Sequence, residues 1–425
     1  MGPSIIRKGL IPLLSQLRKT GFFHVFSSST INRIINFVVV FFIVRVLSPE
    51  DYAVYTYAFS ILSVLLLING LGVATGILQL CSEKEPGSCQ SISLFKYSSR
   101  IGMQTDCVLA IALLVSALVV SFPLQGVNTL VGLISFLPLV ILAFELIQVW
   151  YRSQGANREY ARNITINSAF LCFFVLGGAL LFNSIGAFVG YYLTYLFSAL
   201  IASVGMRKTI RSKTQPPSPL EKRTLLKISL ASAVTDGISA LLYQIDIIII
   251  GALVTSTLAV AEYRVATLIP VALLFIPSTI MVYLFPYFAR NRLDKKWCLR
   301  KYLQATAIVA SFSVLITIIL ILVSKPLIPF VFGEAYESVS GVFSVLMISY
   351  AFNGGFRIIT GNIICSQRKY LANLCFAIIT VLLFIVLCFI LIPLYGIEGA
   401  AWSTLATMII TAIMSNVYLV KLLTA

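Results

Sequence analysis

Arg33 stands inside an apolar run, in Ser28-Ser29-Thr30-Ile31-Asn32-Arg33-Ile34-Ile35-Asn36. Arg357 stands inside another, in Tyr350-Ala351-Phe352-Asn353-Gly354-Gly355-Phe356-Arg357-Ile358-Ile359-Thr360. A guanidinium at membrane depth costs roughly 2.5–3.5 kcal/mol on the milder insertion scales. Arginine does not escape that cost by losing its proton. Each must therefore face water, a carboxylate or an anionic ligand. Each also sits in a polar stripe: Ser29, Arg33 and Asn36 at spacings 4 and 3, and Ser349, Asn353, Arg357 and Thr360 at spacings 4, 4 and 3. A third stripe holds Ser232, Asp236, Ser239, Tyr243 and Asp246 at spacings 4, 3, 4 and 3. That period puts them on one helical face, covering roughly 21 Å at the helical rise. Two chemistries stay open. The arginines and aspartates pair with one another, or Arg33 and Arg357 contact a phosphate or acidic sugar through charge-assisted hydrogen bonds.

Other intramembrane ionisable residues are weaker candidates. Arg45 and Arg264 lie near the outer ends of their apolar runs, within reach of the interface. Asp106 and Glu145 lie toward inner ends, where snorkelling to the inner interface is the expected arrangement. Either carboxylate could instead carry H+ or Na+. Asp236 and Asp246 are the first candidates for such coupling, and Glu145 shares a helical face with Gln148. Asn69-Gly70-Leu71-Gly72-Val73-Ala74-Thr75-Gly76 is not a phosphate loop, because no Lys-Ser/Thr follows it. Close packing or local unwinding explains it better. Gly354-Gly355, Pro270 and Pro277 mark hinge candidates. No catalytic constellation, metal cluster or ATP motif is apparent, so neither an enzyme nor a cofactor is expected. His24 is the sole histidine.

The elements that position these residues are membrane helices. The chain has 425 residues, 59% of them hydrophobic and 11% charged, which excludes an ordinary soluble core. The net charge of +16 reflects basic membrane-flanking loops rather than nucleic-acid binding. At 20–25 residues per span, hydropathy gives twelve: about 22–47, 52–80, 98–121, 127–151, 163–182, 185–206, 228–253, 258–289, 303–323, 340–363, 371–393 and 397–420. With both termini cytoplasmic, 26 of the 31 Lys and Arg fall on the inner side, which fixes the parity. The basic N-terminal stretch leads into a full-length span, so no cleaved leader is expected. The cysteines fall in spans or inner loops and suggest no disulfide framework. The outer loops are short.

A basic, proline-rich connection, residues 207–227, separates residues 1–206 (spans 1–6) from 228–425 (spans 7–12). Its composition reads as a flexible linker. The halves repeat. Tyr55 and Tyr263 open matching segments 208 residues apart, Tyr160 and Tyr370 are 210 apart, and Gly186-Ala187 and Gly399-Ala400 are 213 apart. Six spans per half make the repeats parallel, so the expected fold is all-α, with two six-helix lobes around a path along the membrane normal.

Several segments resemble the Wzx-type polysaccharide flippases of the multidrug/oligosaccharidyl-lipid/polysaccharide (MOP) exporter superfamily. They are Arg45-Val46-Leu47-Ser48-Pro49-Glu50-Asp51-Tyr52 with Gly70-Leu71-Gly72; Gln154-Gly155-Ala156-Asn157-Arg158-Glu159-Tyr160; Tyr243-Gln244-Ile245-Asp246; Glu262-Tyr263; Pro329-Phe330-Val331-Phe332-Gly333-Glu334; and Gly396-Ile397-Glu398-Gly399. Their order covers nearly the whole chain. The resemblance implies a MATE-like V of two lobes in a bacterial inner membrane. It also implies a polyprenyl-diphosphate-linked oligosaccharide (an O-antigen unit or similar) moved from the cytoplasmic to the periplasmic leaflet, with other polysaccharide-assembly proteins as possible partners. By position it assigns Arg33, Arg264 and Arg357 to the diphosphate. The proposed cavity also includes Asn36, Asn353, Ser239 and Tyr243. Two alternatives stand beside it: a cation-coupled multidrug exporter, disfavoured by the buried arginines, and a membrane glycosyltransferase or polymerase, disfavoured by the short outer loops.

Overall fold

The computed structural model describes residues 22–212, 214–241, 244–254 and 256–424. Of the sequence candidates, Tyr243 lies outside the described residues, as do the side chains of Arg33, Asp236 and Ser239. Among the described residues the fold is all helical, and eight stretches are long and apolar enough to cross a membrane. Two of these, Asn157–Val204 with 48 residues and Tyr370–Thr424 with 55, are too long for one crossing. Each is folded back on itself at a non-helical residue, Asn183 (φ 51°) and Gly396 (φ 58°). Phe22–Val46 and the pair Pro219–Leu241 and Ile245–Leu253 supply the remaining crossings, so the twelve expected spans all have helices.

The internal repeat is visible in backbone geometry. Asn183 and Gly396 are 213 residues apart, and each turns a helical hairpin with positive φ, which glycine or asparagine tolerates best. Three residues on, a Cβ on Gly186 would lie 1.9 Å from the Gly178 carbonyl oxygen, and one on Gly399 would lie 2.1 Å from that of Leu391. Both contacts reach eight residues back, so the same corner is built twice. Gly126 (φ 86°) and Gly333 (φ 110°) likewise precede spans 4 and 10.

Contacts divide the chain into two units. The first comprises the described residues up to Leu47, Leu65–Ser121 and Gly126–Gly237; the second comprises Ser48–Val64, Phe122–Gln125 and the chain from Ile238 on. The outer part of span 2 thus belongs to the second unit, and the first part of span 7 to the first. The first unit's core holds Val73, Ile77, Leu94, Leu142, Trp150 and Leu225. Small residues allow a close approach there: a Cβ on Gly72 would lie 2.4 Å from the Ser229 carbonyl oxygen, and one on Gly76 2.5 Å from Ser229 Oγ. Ser232 Oγ also bonds Thr75 Oγ1 at 3.0 Å. The second unit's core holds Met281, Phe288, Tyr302, Val309, Ile359 and Leu419.

The proline-rich connection, expected to be flexible, is held at several points. Lys96 donates to the Ser212 carbonyl and Ser93 to that of Gln215. Ser218-Pro219-Leu220-Glu221 then starts span 7 as a capping box: the Ser218 N–H donates to Glu221 (3.1 Å) and the Glu221 N–H to Ser218 Oγ (3.3 Å). Glu221 also pairs with Lys84 at 3.1 Å.

Candidate functional site

Span 10 does not keep a regular helical turn. Ser340–Phe352 gives way to a π-helical turn, Asn353–Arg357, before Ile358–Ser366 resumes. Gly354-Gly355 lets this turn pack tightly. A Cβ on Gly355 would come within 2.9 Å of Ala310 Cα in span 9, and one on Gly354 within 3.2 Å of Pro277 in span 8. A π turn takes an extra residue and so rotates everything after it relative to what precedes it. The four-residue stripe read from the sequence is therefore divided. Ser349 and Asn353 line one cavity, Arg357 lines another, and Thr360 is buried against the Tyr302 hydroxyl at 3.2 Å.

The Arg357 cavity has a volume of about 300 Å³ and lies wholly within the second unit. Its polar lining is Ser278, Asn362, Asn373, Thr411 and Ser415, together with Arg357. Among its described lining residues there is no carboxylate. Hydroxyls and amides offer hydrogen bonds of both kinds, and the guanidinium offers a planar fork suited to phosphate oxygens. Sequence periodicity missed Asn362, Asn373, Thr411 and Ser415. The last two lie on span 12 among apolar residues, and only packing brings them to Arg357.

The second cavity, about 60 Å³, collects Asp246, Tyr263, Arg264, Ser349, Asn353 and Thr404. Here Arg264 interacts with the Asp246 carboxylate and with the Tyr52 phenol. Asp246 is 8% exposed, and its Oδ1 also accepts its following N–H from Ile247 at 2.8 Å. Tyr263 bonds Thr404 at 3.2 Å. Among the described side chains, the guanidinium that acts on Asp246 is Arg264, from span 8. Its position near the outer end suggested an interfacial guanidinium, whereas it lies half-buried beside Asp246.

Two further candidates sit in the first unit. Asn36 is exposed and donates to the Asn32 carbonyl oxygen (2.7 Å) and to Asn32 Oδ1 (2.9 Å). That oxygen in turn accepts from Ser168, joining spans 1 and 5. Glu145 is exposed, and its Oε2 accepts from Asn69 Nδ2 at 3.3 Å. The expectation that Asp106 snorkels is corrected: it is 0% exposed, and its Oδ1 accepts the Gly70 N–H at 2.7 Å. The reason is local. Gly70, Leu71 and Gly72 all have positive φ, so span 2 is unwound there and frees a backbone donor that Asp106 satisfies.

A family model described as "Polysaccharide biosynthesis protein" matches residues 42–341. The chain belongs to this family. A search of curated protein sequences gives no match. Among solved structures, the chain is similar to an inward-facing multidrug resistance MATE family transporter of the MOP superfamily. The TM-score is 0.74 at 13% identity, over 92% of this chain and 94% of the other. It is similar to the lipid II flippase MurJ in an inward closed conformation, with a TM-score of 0.71 at 15% identity over 94% and 87%. A MOP superfamily transporter from Pyrococcus furiosus, whose reversed binding-pocket polarity suggests a different function, gives 0.60 at 13% over 95% of both chains. At these identities the likeness establishes the fold alone, an all-α helical fold shared with these transporters; the apolar helices make the chain a multi-pass membrane protein.

Proposed function

We propose that the chain is a flippase that carries a polyprenyl-diphosphate-linked oligosaccharide from the cytoplasmic to the periplasmic leaflet of a bacterial inner membrane. The observation that carries this reading is the Arg357 cavity: an intramembrane guanidinium among neutral hydrogen-bonding groups, with no carboxylate among the described lining residues to neutralise it. Membership of a polysaccharide biosynthesis family and a fold shared with a lipid II flippase support the same class of cargo.

The division of labour follows from size and charge. A cavity of about 300 Å³ is at the lower end for small-molecule sites, so it suits the diphosphate rather than a whole oligosaccharide. Arg357 would hold the phosphate oxygens, while Asn362, Asn373 and Thr411 would meet phosphate or the first sugar's hydroxyls. The lipid tail stays in the bilayer. Arg264 faces Asp246 and is the weaker diphosphate contact. An ion gradient or the membrane potential would drive alternating access, with both termini cytoplasmic.

Replacing Arg357 with Ala should sharply reduce surface glycan export while protein stays at its normal level in the membrane. Unchanged export in that variant overturns the role. A multidrug exporter would need a carboxylate for a cationic drug in this cavity, and none is among its described lining residues.

A further inference from the structure

The break in span 2 gathers more oxygen than the fold uses. Gly70 (φ 54°), Leu71 (φ 52°) and Gly72 (φ 72°) turn left-handed in succession between Pro49–Leu66 and Val73–Ser82. Left-handed backbone at Leu71 costs roughly 1–2 kcal/mol, so something must over-determine it. Span 3 approaches closely enough to do so. A Cβ on Gly102 would lie 2.7 Å from Val73 Cγ2 and 3.6 Å from Gly70 Cα. Asp106, one turn further along the same face, then caps the Gly70 N–H.

That bond uses only one of the Asp106 oxygens. Oδ2 is buried without a partner on a residue 0% exposed. Asn69 repeats the pattern: its Nδ2 donates to Glu145, while its Oδ1 is buried and unpartnered. Gln148, one turn beyond Glu145, is 6% exposed, and neither its Oε1 nor its Nε2 has a partner. Asp106 and Glu145 are within electrostatic reach of each other. Among the described residues no Lys, Arg or His lies within salt-bridge distance of either. Buried oxygens of this kind are normally satisfied, and buried charge is normally paired.

We propose that the unwound turn of span 2, with Asp106, Asn69, Glu145 and Gln148, is a sodium site. Unwound intramembrane backbone beside carboxylates is a general way to hold a small cation. The unpartnered groups include Asp106 Oδ2 and the amide oxygens of Asn69 and Gln148, which are hard ligands suited to a hard ion. A proton on one carboxylate would satisfy at most one further acceptor and leave the rest orphaned. Glu145, which is exposed, supplies the entry side. The ion would tie spans 2, 3 and 4 together at the break, so its arrival and departure act on the turn that interrupts span 2.

The test uses the purified full-length protein and sodium alone. Thermal melting is compared in NaCl, KCl and choline chloride at equal ionic strength. Sodium should raise Tm saturably, and the other two salts should not. Glu145→Gln should weaken the sodium response by about tenfold or more, as loss of one charged contact does. Asp106→Asn, which keeps an acceptor for Gly70, should abolish it. If Asp106→Asn fails to fold, Glu145→Gln and Asn69→Ala carry the test. A wild-type protein with no sodium-specific shift, one that answers to pH alone, or a shift that survives in Glu145→Gln overturns the site. Arg357-dependent export is read separately, so failure here leaves the flippase reading standing.

Discussion

Spans 2 and 10 are both interrupted within the membrane, and in opposite ways. Span 2 unwinds: three left-handed residues abandon the helical ladder, and the freed Gly70 N–H must be met by another helix. Span 10 widens: the π turn Asn353–Arg357 keeps a helical hydrogen-bond pattern and adds a residue. The first interruption consumes a carboxylate as a structural partner and gathers acidic and amide oxygens around it. The second keeps its own helical bonds and places Arg357 in a cavity lined by neutral groups. An unwound helix collects ligands for itself, whereas a π turn can present a side chain to something else.

The sharpest way to break this contrast is at Arg357. Arg357→Ala should reduce export about 10–100-fold, the scale of a lost hydrogen bond to a charged group, about 1.5–3 kcal/mol. Arg357→Lys should recover only part of it, because the planar fork is lost. Surface glycan, normalised to membrane protein level, measures both. The next effect should be at the glycines. Gly72→Ala puts a methyl 2.4 Å from the Ser229 carbonyl oxygen at φ 72°, so it should lower stability by about 1–3 kcal/mol. Gly354→Ala meets nothing closer than 3.2 Å and should cost less. Melting the two variants side by side shows whether the unwound turn is the less forgiving.

Asp106 separates its two roles by chemistry. Asp106→Ala leaves the Gly70 N–H without its partner and should cost about 1–3 kcal/mol. Asp106→Asn should retain most of that stability while losing any cation response. The smallest effect should be outside the membrane. The Ser218 backbone N–H, then Lys84, hold the Glu221 carboxyl below its ordinary range. Because the folded value is depressed, its contribution is present above the unfolded value and fades as pH falls through the folded one. Glu221→Gln should therefore cost at most about 0.2–1 kcal/mol at neutral pH, as for exposed pairs. Melting of both proteins in acid should bring them together.

Hydropathy and charge placed the twelve spans, since a membrane crossing declares itself by length and apolarity. The Gly186-Ala187 and Gly399-Ala400 repeat marked real corners, because only glycine fits 1.9–2.1 Å from a carbonyl oxygen. The glycine-rich run in span 2 was readable as an unwinding. Its consequence for Asp106 was not, because a donor freed by unwinding leaves no pattern in span 3. The span 10 stripe failed for a related reason: even helical spacing presumes an unbroken period, and the π turn changes it between Asn353 and Arg357. Asn373, Thr411 and Ser415 carried no signal at all, lying on spans 11 and 12 far from Arg357 in sequence.

The seam between span 2 and the start of span 7 also bears on how the gene could be divided. The proline-rich connection is the obvious place to cut, yet the helix that follows it packs into the first unit, with Ser229 against Gly72 and Gly76. Two polypeptides separated at residue 216 would leave the upstream one lacking the surface its glycines were shaped to meet. A protein assembled from two such transcripts would depend on trans-complementation at that seam, so a longer upstream fragment that carries Pro219–Gly237 with it is the better half-protein.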